Sequence, residues 1–219
     1  MHQTFVVVIG GSPPHPGVTA RLPDDRFVIA ADSGLDHARA LGLAVDLVVG
    51  DLDSVSAQAL AETEAAGVPV ERHPAAKDAI DTELALDAAL ARGAERIVVV
   101  SGGGDRLDHL LGGLLVLVHP KLRGVVVEAW IGAASVCALQ GPTTADFDGP
   151  EGAYVSLLPI GGPADGLVTS GLRYPLQNES LDPGSSRGVS NEFLGGRACV
   201  SLRSGSLLVV VPYALGGAS

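Results

Sequence analysis

The chain has 219 residues and a formal net charge of −11, with an isoelectric point near 4.8, a balance that works against phosphate-backbone binding as a main task and makes nucleic acid an unexpected partner. Apolar residues make up 47% and charged residues 18%, enough apolar side chains to bury a core and unlike a disordered tail. The longest uncharged apolar stretch, residues 110–118, falls far short of the roughly 20 residues that span a bilayer, and no basic start followed by an apolar run precedes residue 20, so a soluble cytoplasmic protein without a membrane partner is expected. Cys137 and Cys199 are the only cysteines. A disulfide framework and a cysteine-type zinc site are excluded on count, and both read as reduced core thiols.

In chain order, residues 5–9 form a nearly continuous apolar run, the signature of a strand buried on both faces of a parallel sheet. The loop over 10–20, with Pro13, Pro14 and Pro16, is the best candidate for a mobile segment. Further strands are expected over 27–31, 46–49 and 96–100, and helices over 35–41, 55–66, 80–92 and 107–118. Gly42, Gly67 and Gly93 follow three of these helices, where a left-handed cap is wanted. Alternating strands and helices favour an α/β fold with a doubly wound, mostly parallel, Rossmann-like sheet. Residues 124–131 are strand-like and fit either side of a boundary. From about residue 133 helical periodicity disappears, and runs such as 153–158, 198–202 and 206–211 lie between Gly, Pro, Ser and Asn clusters. The expected organisation is an α/β domain over 1–132 and a smaller all-β domain over 133–219.

The aspartates fall at informative places. Asp32 follows the second strand, and Asp51 and Asp53 follow the third within Gly50-Asp51-Leu52-Asp53-Ser54. Carboxyl ends of strands are where open α/β sheets bind ligands. In a locally extended segment, residues 51 and 53 point the same way, and converging carboxylates call for a cation; Mg²⁺, with its preference for carboxylates, phosphate oxygens and water, suits them. The alternative is that Asp51 caps a turn while Asp53 or Ser54 caps the next helix. A second cluster, Lys77-Asp78-Ala79-Ile80-Asp81-Thr82-Glu83, opens a helix and puts Asp78 and Asp81 on one face of its first turn. Lys77 is one of only two lysines, and a positive point charge beside paired acids suits a polyphosphate. The third cluster, Ser101-Gly102-Gly103-Gly104-Asp105-Arg106-Leu107-Asp108-His109, combines close backbone approach at Gly103 and Gly104 with the charge of Arg106, and His109 is either a ligand, a base or a packing residue. It lacks the P-loop spacing and the full dinucleotide fingerprint. One metal-bound polyphosphate would satisfy all the clusters.

These segments, Ala31-Asp32-Ser33-Gly34, Gly50 to Ser54, Lys77-Asp78 with Asp81 and Glu83, and Gly103 to His109, resemble in order and spacing the motifs of the thiamine pyrophosphokinase (thiamine diphosphokinase) family. In the later part, Val155 to Pro159, Gly171-Leu172-Arg173-Tyr174 and Gly188-Val189-Ser190-Asn191-Glu192 resemble its thiamine-binding domain. The chain departs from the family pattern at Ile80, where Thr is usual, and near Gly113, where Asn is usual.

The resemblance implies Mg²⁺-dependent transfer of the pyrophosphoryl group of ATP to thiamine, giving thiamine diphosphate and AMP. It also implies a C-terminal β-sandwich and a homodimer with shared sites. By the same resemblance, Asp51, Asp53, Asp78 and Asp81 would hold metal and phosphates. Asp32, Ser33, Lys77, Gly103, Gly104, Arg106 and His109 would bind nucleotide, and Asp108 would support Arg106. Ser190 and Asn191, with Tyr174 or Phe193, would bind thiamine. The alternatives are a pyrophosphokinase for another heterocyclic alcohol, such as a pterin, and a non-catalytic nucleotide-sensing protein of the same fold.

Overall fold

The computed structural model describes residues 4–74, 79–104 and 106–216. The chain divides into two compact units, one of residues 1–117 and 124–133, the other of 118–123 and 134–219. The segment 118–123 therefore belongs with the second unit, and the strand-like stretch 124–131 with the first.

The first unit is built on strands β1 (Thr4–Val8), β2 (Arg26–Ala31), β3 (Leu47–Gly50), β4 (Val70–Arg72), β5 (Arg96–Ser101) and β6 (Val126–Ile131), all parallel, in the order β6-β5-β1-β2-β3-β4. The central strands β1, β2, β3 and β5 are Val- and Ile-rich and almost wholly buried, as strands covered on both faces must be. The short β4 is half-exposed at the edge, and its Val-Glu-Arg sequence carries too little apolar signal to be read as a strand beforehand. Helices α1 (Gly34–Ala40), α2 (Ala57–Ala65), α3 (Asp81–Ala91) and α4 (Leu107–Val116) complete the unit. Ala30 and Val48 turn one sheet face towards Leu35 and Ala59, on α1 and α2, while α3 packs on β1, β2 and β3. Gly42, Gly67 and Gly93 take φ of 69°, 78° and 79°, the left-handed values that end three helices. Winding runs one way from β1 to β4 and the other way from β5 to β6. The switch point lies between β1 and β5, where such sheets open a crevice at the strands' carboxyl ends.

The proline-rich loop after β1 is bonded to the loop after β5. Ser12 N–H donates to Gly103 O at 2.8 Å and Gly102 N–H to Ser12 O at 3.1 Å, while Pro16–Arg21 forms a 3-10 turn anchored by fully buried Val18.

The second unit is an all-β sandwich, as the sequence led us to expect. One antiparallel sheet contains β7 (Ala134–Gln140), β14 (Ser206–Val211), β9 (Tyr154–Pro159) and β12 (Asn191–Glu192). The other contains β8 (Thr143–Gly149), β13 (Gly196–Leu202), β10 (Ala164–Ser170) and β11 (Gln177–Leu181). Alternate residues of both, including Leu139, Leu157 and Leu207 from one and Leu167, Val200 and Leu202 from the other, form a single core. Cys137 packs against that core, but Cys199 does not: Ala198 and Val200 point inward, so the residue between them takes the opposite face. Burial pushes the Cys199 thiol up, and the Asp146 carboxylate paired across from it adds to the shift. Among the described residues no helix is long and apolar enough to cross a membrane.

Candidate active site

At the carboxyl edge of the parallel sheet lies a cavity of about 520 Å³. Its acidic side is organised by Asp32. This residue stands at φ 52°, a conformation Asp tolerates better than most side chains, directly after β2. Its Oδ1 accepts the Leu52 N–H at 2.9 Å and its Oδ2 accepts the Ser54 hydroxyl at 2.9 Å, so one carboxylate clamps the whole loop after β3.

That loop is not extended, as the spacing of Asp51 and Asp53 had suggested. Leu52 takes φ 65° because its side chain is drawn into the apolar cluster of Ala30, Leu35, Val48 and Ala59. With Leu52 turned inward, its two neighbours flank the cavity instead. Carboxylate oxygens of Asp32, Asp51 and Asp53 lie within 4.8 Å of one another, a hard-oxygen donor set that fits Mg²⁺. Burial raises the Asp32 carboxyl above its ordinary range, the negative charges of Asp81 and Asp51 add to this, and the bonds from Ser54 and Leu52 oppose it. Helix α2 is capped by Ser56, whose Oγ accepts the Ala59 N–H at 3.1 Å, which removes Asp53 and Ser54 from the helix-cap role.

Asp81 opens α3 and lines the same cavity. Asp78 and Lys77, expected beside it, lie outside the described residues, as does Asp105. Ile80 stands at the N-cap of α3 with no side-chain hydrogen bond, since it has no acceptor to offer.

The glycine-rich edge is formed by interlocked backbones. A Cβ on Gly11 would fall 2.3 Å from Gly103 O, and one on Gly102 would fall 2.2 Å from both Ser12 O and Pro13 O. Only glycine permits two strand-end loops to approach this closely. Gly103, Gly104, Ser33, Arg106 and His109 all line the cavity. Arg106 extends from the start of α4 and is gripped by Asp108, through Nη2 to Oδ2 at 2.6 Å and Nε to Oδ1 at 3.2 Å. This bidentate bond holds the Asp108 carboxyl down at about 2. Asp108 itself does not line the cavity and is joined to it through Arg106.

Gly10, Gly11 and Ile131 also line the cavity but were not singled out from sequence, and Ser54, read there as a possible helix cap, lines it too. A Gly-Gly pair directly after the first strand was the available signal for two of them.

In the second unit, Tyr174 and Asn191 meet. Asn191 is buried, its Oδ1 accepts the N–H groups of Tyr174 and Glu192 at 3.0 and 2.9 Å, and its Nδ2 donates to Tyr174 O at 2.8 Å. It therefore fixes the backbone at Tyr174, whose ring is 61% exposed. Ser190 stands beside them, exposed, at φ 58°. Phe193 is different: its ring is 1% exposed and lies over Gly149 in the sandwich core, so of the two candidate aromatics only Tyr174 presents a face.

Comparison with known proteins identifies the family. Residues 19–128 match the sequence model of the thiamin pyrophosphokinase catalytic domain, and residues 142–207 that of the thiamin pyrophosphokinase vitamin B1 binding domain. Thiamine pyrophosphokinase of Bacillus subtilis (strain 168) is 27% identical over 206 residues, 93% of this chain and 96% of that protein. The crystal structure of thiamine pyrophosphokinase from Bacillus subtilis superposes with a TM-score of 0.83 at 26% identity, covering 95% of this chain and 98% of the other. A thiamin pyrophosphokinase family protein from Enterococcus faecalis gives 0.76 at 27% identity, covering 95% and 97%. With both of its domain models matched in order along one sequence, the chain belongs to the thiamin pyrophosphokinase family.

Proposed function

We propose that this chain transfers the pyrophosphoryl group of ATP to the hydroxyl of thiamine, giving thiamine diphosphate and AMP. The observation that carries this reading is the single cavity shared by Asp32, Asp51, Asp53, Asp81, Gly103 and Arg106. In the reaction the thiamine hydroxyl oxygen bonds to the β-phosphorus of ATP, the bond from that phosphorus to the oxygen bridging to the α-phosphorus breaks, the hydroxyl proton passes to solvent water, and AMP departs carrying the bridging oxygen. Such chemistry needs positioning and charge neutralisation rather than a protein nucleophile.

Asp51, Asp53, Asp78 and Asp81 are the proposed holders of Mg²⁺, and Asp32 joins them because its carboxylate belongs to the same group. Mg²⁺ supplies neutralisation of the phosphate oxygens. Arg106, oriented by Asp108, meets the charge on the departing phosphate, and Lys77 serves the same end. Ser33, Gly103, Gly104 and His109 line the nucleotide's path. Ser190 and the Tyr174 ring, its backbone set by Asn191, receive the aminopyrimidine and the cationic thiazolium. The working form is a cytoplasmic homodimer with sites shared between copies; the stripe of Leu107, Leu111 and Leu115, each more than half exposed on α4, favours self-association. The decisive measurement is AMP release from ATP and Mg²⁺ with and without thiamine. Thiamine-dependent AMP formation is expected; its absence from folded protein overturns the reading.

A further inference from the structure

The cavity has a second end that the phosphate chemistry does not use. Strand register pairs Val99 with Ala129 and Ser101 with Ile131, and strand alternation puts all four on one face of the sheet. Val99, Ala129 and Ile131 line the cavity there. The facing wall is α4, which contributes Leu110 and Gly113, closed beyond its end by buried Leu117.

None of the residues of α4 from Leu107 to Val116 is buried, so the helix stands off the sheet instead of packing on it. Ile80 reaches across from the start of α3: a Cβ on Gly112 would lie 3.8 Å from Ile80 Cδ1, whereas a Cβ on Gly113 would meet nothing within 4 Å. Open space therefore begins at Gly113.

The strand-end N–H groups bordering that space are already occupied. The Gly132 N–H donates to Ser101 O at 2.9 Å, the Ile9 N–H to Val100 O at 3.0 Å and the Gly103 N–H to Ser101 Oγ at 3.1 Å. Ile80 and Gly113, the two departures from the family pattern, both sit here and offer no hydrogen-bonding side chain.

We propose that the gap between α4 and the sheet is the nucleobase subsite, and that Gly113, with Ile80, makes it a slot that selects a flat ring by size while ignoring its hydrogen-bonding edge. This rests on the reading of the cavity as a triphosphate site, and it assigns the base to the apolar end opposite Asp51, Asp53 and Arg106. A site that hydrogen-bonds its substrate rejects analogues lacking those groups by about 10⁴-fold or more, whereas an apolar slot discriminates isosteric rings by about a hundredfold at most.

The test is calorimetric binding with Mg²⁺ and without thiamine, using ATP, GTP, inosine triphosphate and inorganic tripolyphosphate. For the parent chain the three nucleotides should fall within about a hundredfold of one another; a wider spread overturns the proposal. Gly113→Leu, which fills the gap, should weaken all three nucleotides while leaving tripolyphosphate at the parent's affinity, and the smaller Gly113→Ala should shift them in the same direction by less. Equal losses for nucleotides and tripolyphosphate, or no loss for nucleotides, place the base elsewhere. If no triphosphate binds the folded parent, the proposed function and this inference both fall. If triphosphates bind with steep base discrimination, only this inference does.

Discussion

Each Asp32 carboxylate oxygen accepts one bond from the loop that carries Asp51 and Asp53 and keeps a lone pair for the shared donor group, so the three acids are expected to act together. Asp51→Asn and Asp53→Asn remove a charge from the donor group at nearly constant volume. Each should lower turnover by at least about a hundredfold while the fold persists, read as activity against Mg²⁺ concentration beside circular dichroism. Near-parent turnover at limiting Mg²⁺ would remove that residue from the metal. Arg106→Lys keeps the charge but loses the planar fork. Turnover should fall about a hundredfold or more with thiamine affinity unchanged. The Arg106–Asp108 pair also has a pH signature. Because the Asp108 carboxyl is held at about 2, below its ordinary value, its contribution to the folded state is complete above the ordinary carboxylate range and is lost as pH falls towards 2. Carbon-detected NMR titration should find the Asp108 midpoint near 2 in the parent and back at about 4 in Arg106→Ala. An unchanged midpoint would mean that something other than Arg106 holds it down.

Among the elements, α4 and the glycine-rich strand ends respond to the same kind of change in opposite ways. Gly112 lies in the middle of α4, and a Cβ there makes only ordinary contact with Ile80 at 3.8 Å. Gly112→Ala should raise stability by about 1 kcal/mol in urea unfolding, through the lower entropy of the unfolded chain. Gly102→Ala forces a methyl to within 2.2 Å of two backbone carbonyl oxygens. It should lower stability by about 2 kcal/mol or more and loosen the loops on both sides of the switch point. Helix α4 thus carries two helix-weakening glycines and no buried residue, a combination explained by the space it leaves beneath it rather than by packing.

For the whole molecule, the testable property is the sharing of sites between copies. Asp51→Asn disables the acidic cavity, and Tyr174→Ala removes an exposed ring of the second unit. A homodimer with shared sites has one intact site in each mixed dimer. Random exchange of equal amounts should then restore about a quarter of the parent's activity from two inactive preparations. No recovery, with mixed dimers demonstrated by mass spectrometry, would put both residues in a site made by one copy.

The division between what the sequence determined by itself and what tertiary structure decided follows the range of the forces involved. The alternation of Val- and Ile-rich runs with helical stretches, the glycines closing three helices and the change of character near residue 133 are local signals, and the doubly wound sheet and an all-β second unit were legible from them. That Asp32, Asp51, Asp53, Asp81 and Arg106 border one cavity was legible as well, because their places after strands and at helix starts are properties of the chain order. How Asp51 and Asp53 come together was not. An extended segment was expected, but burial of Leu52 among residues from β2, α1, β3 and α2 turned the backbone over, and Asp32 locked it from 20 residues away. Phe193 and Asn191 likewise looked like ligand groups in a polar stretch, and only packing sent the ring into the sandwich core and tied the amide to Tyr174. The edge strand β4 and the interlocked glycines after β1 and β5 depend on neighbours distant in sequence. Burial and close backbone approach are set by what arrives from elsewhere in the chain, and no window along the sequence contains them.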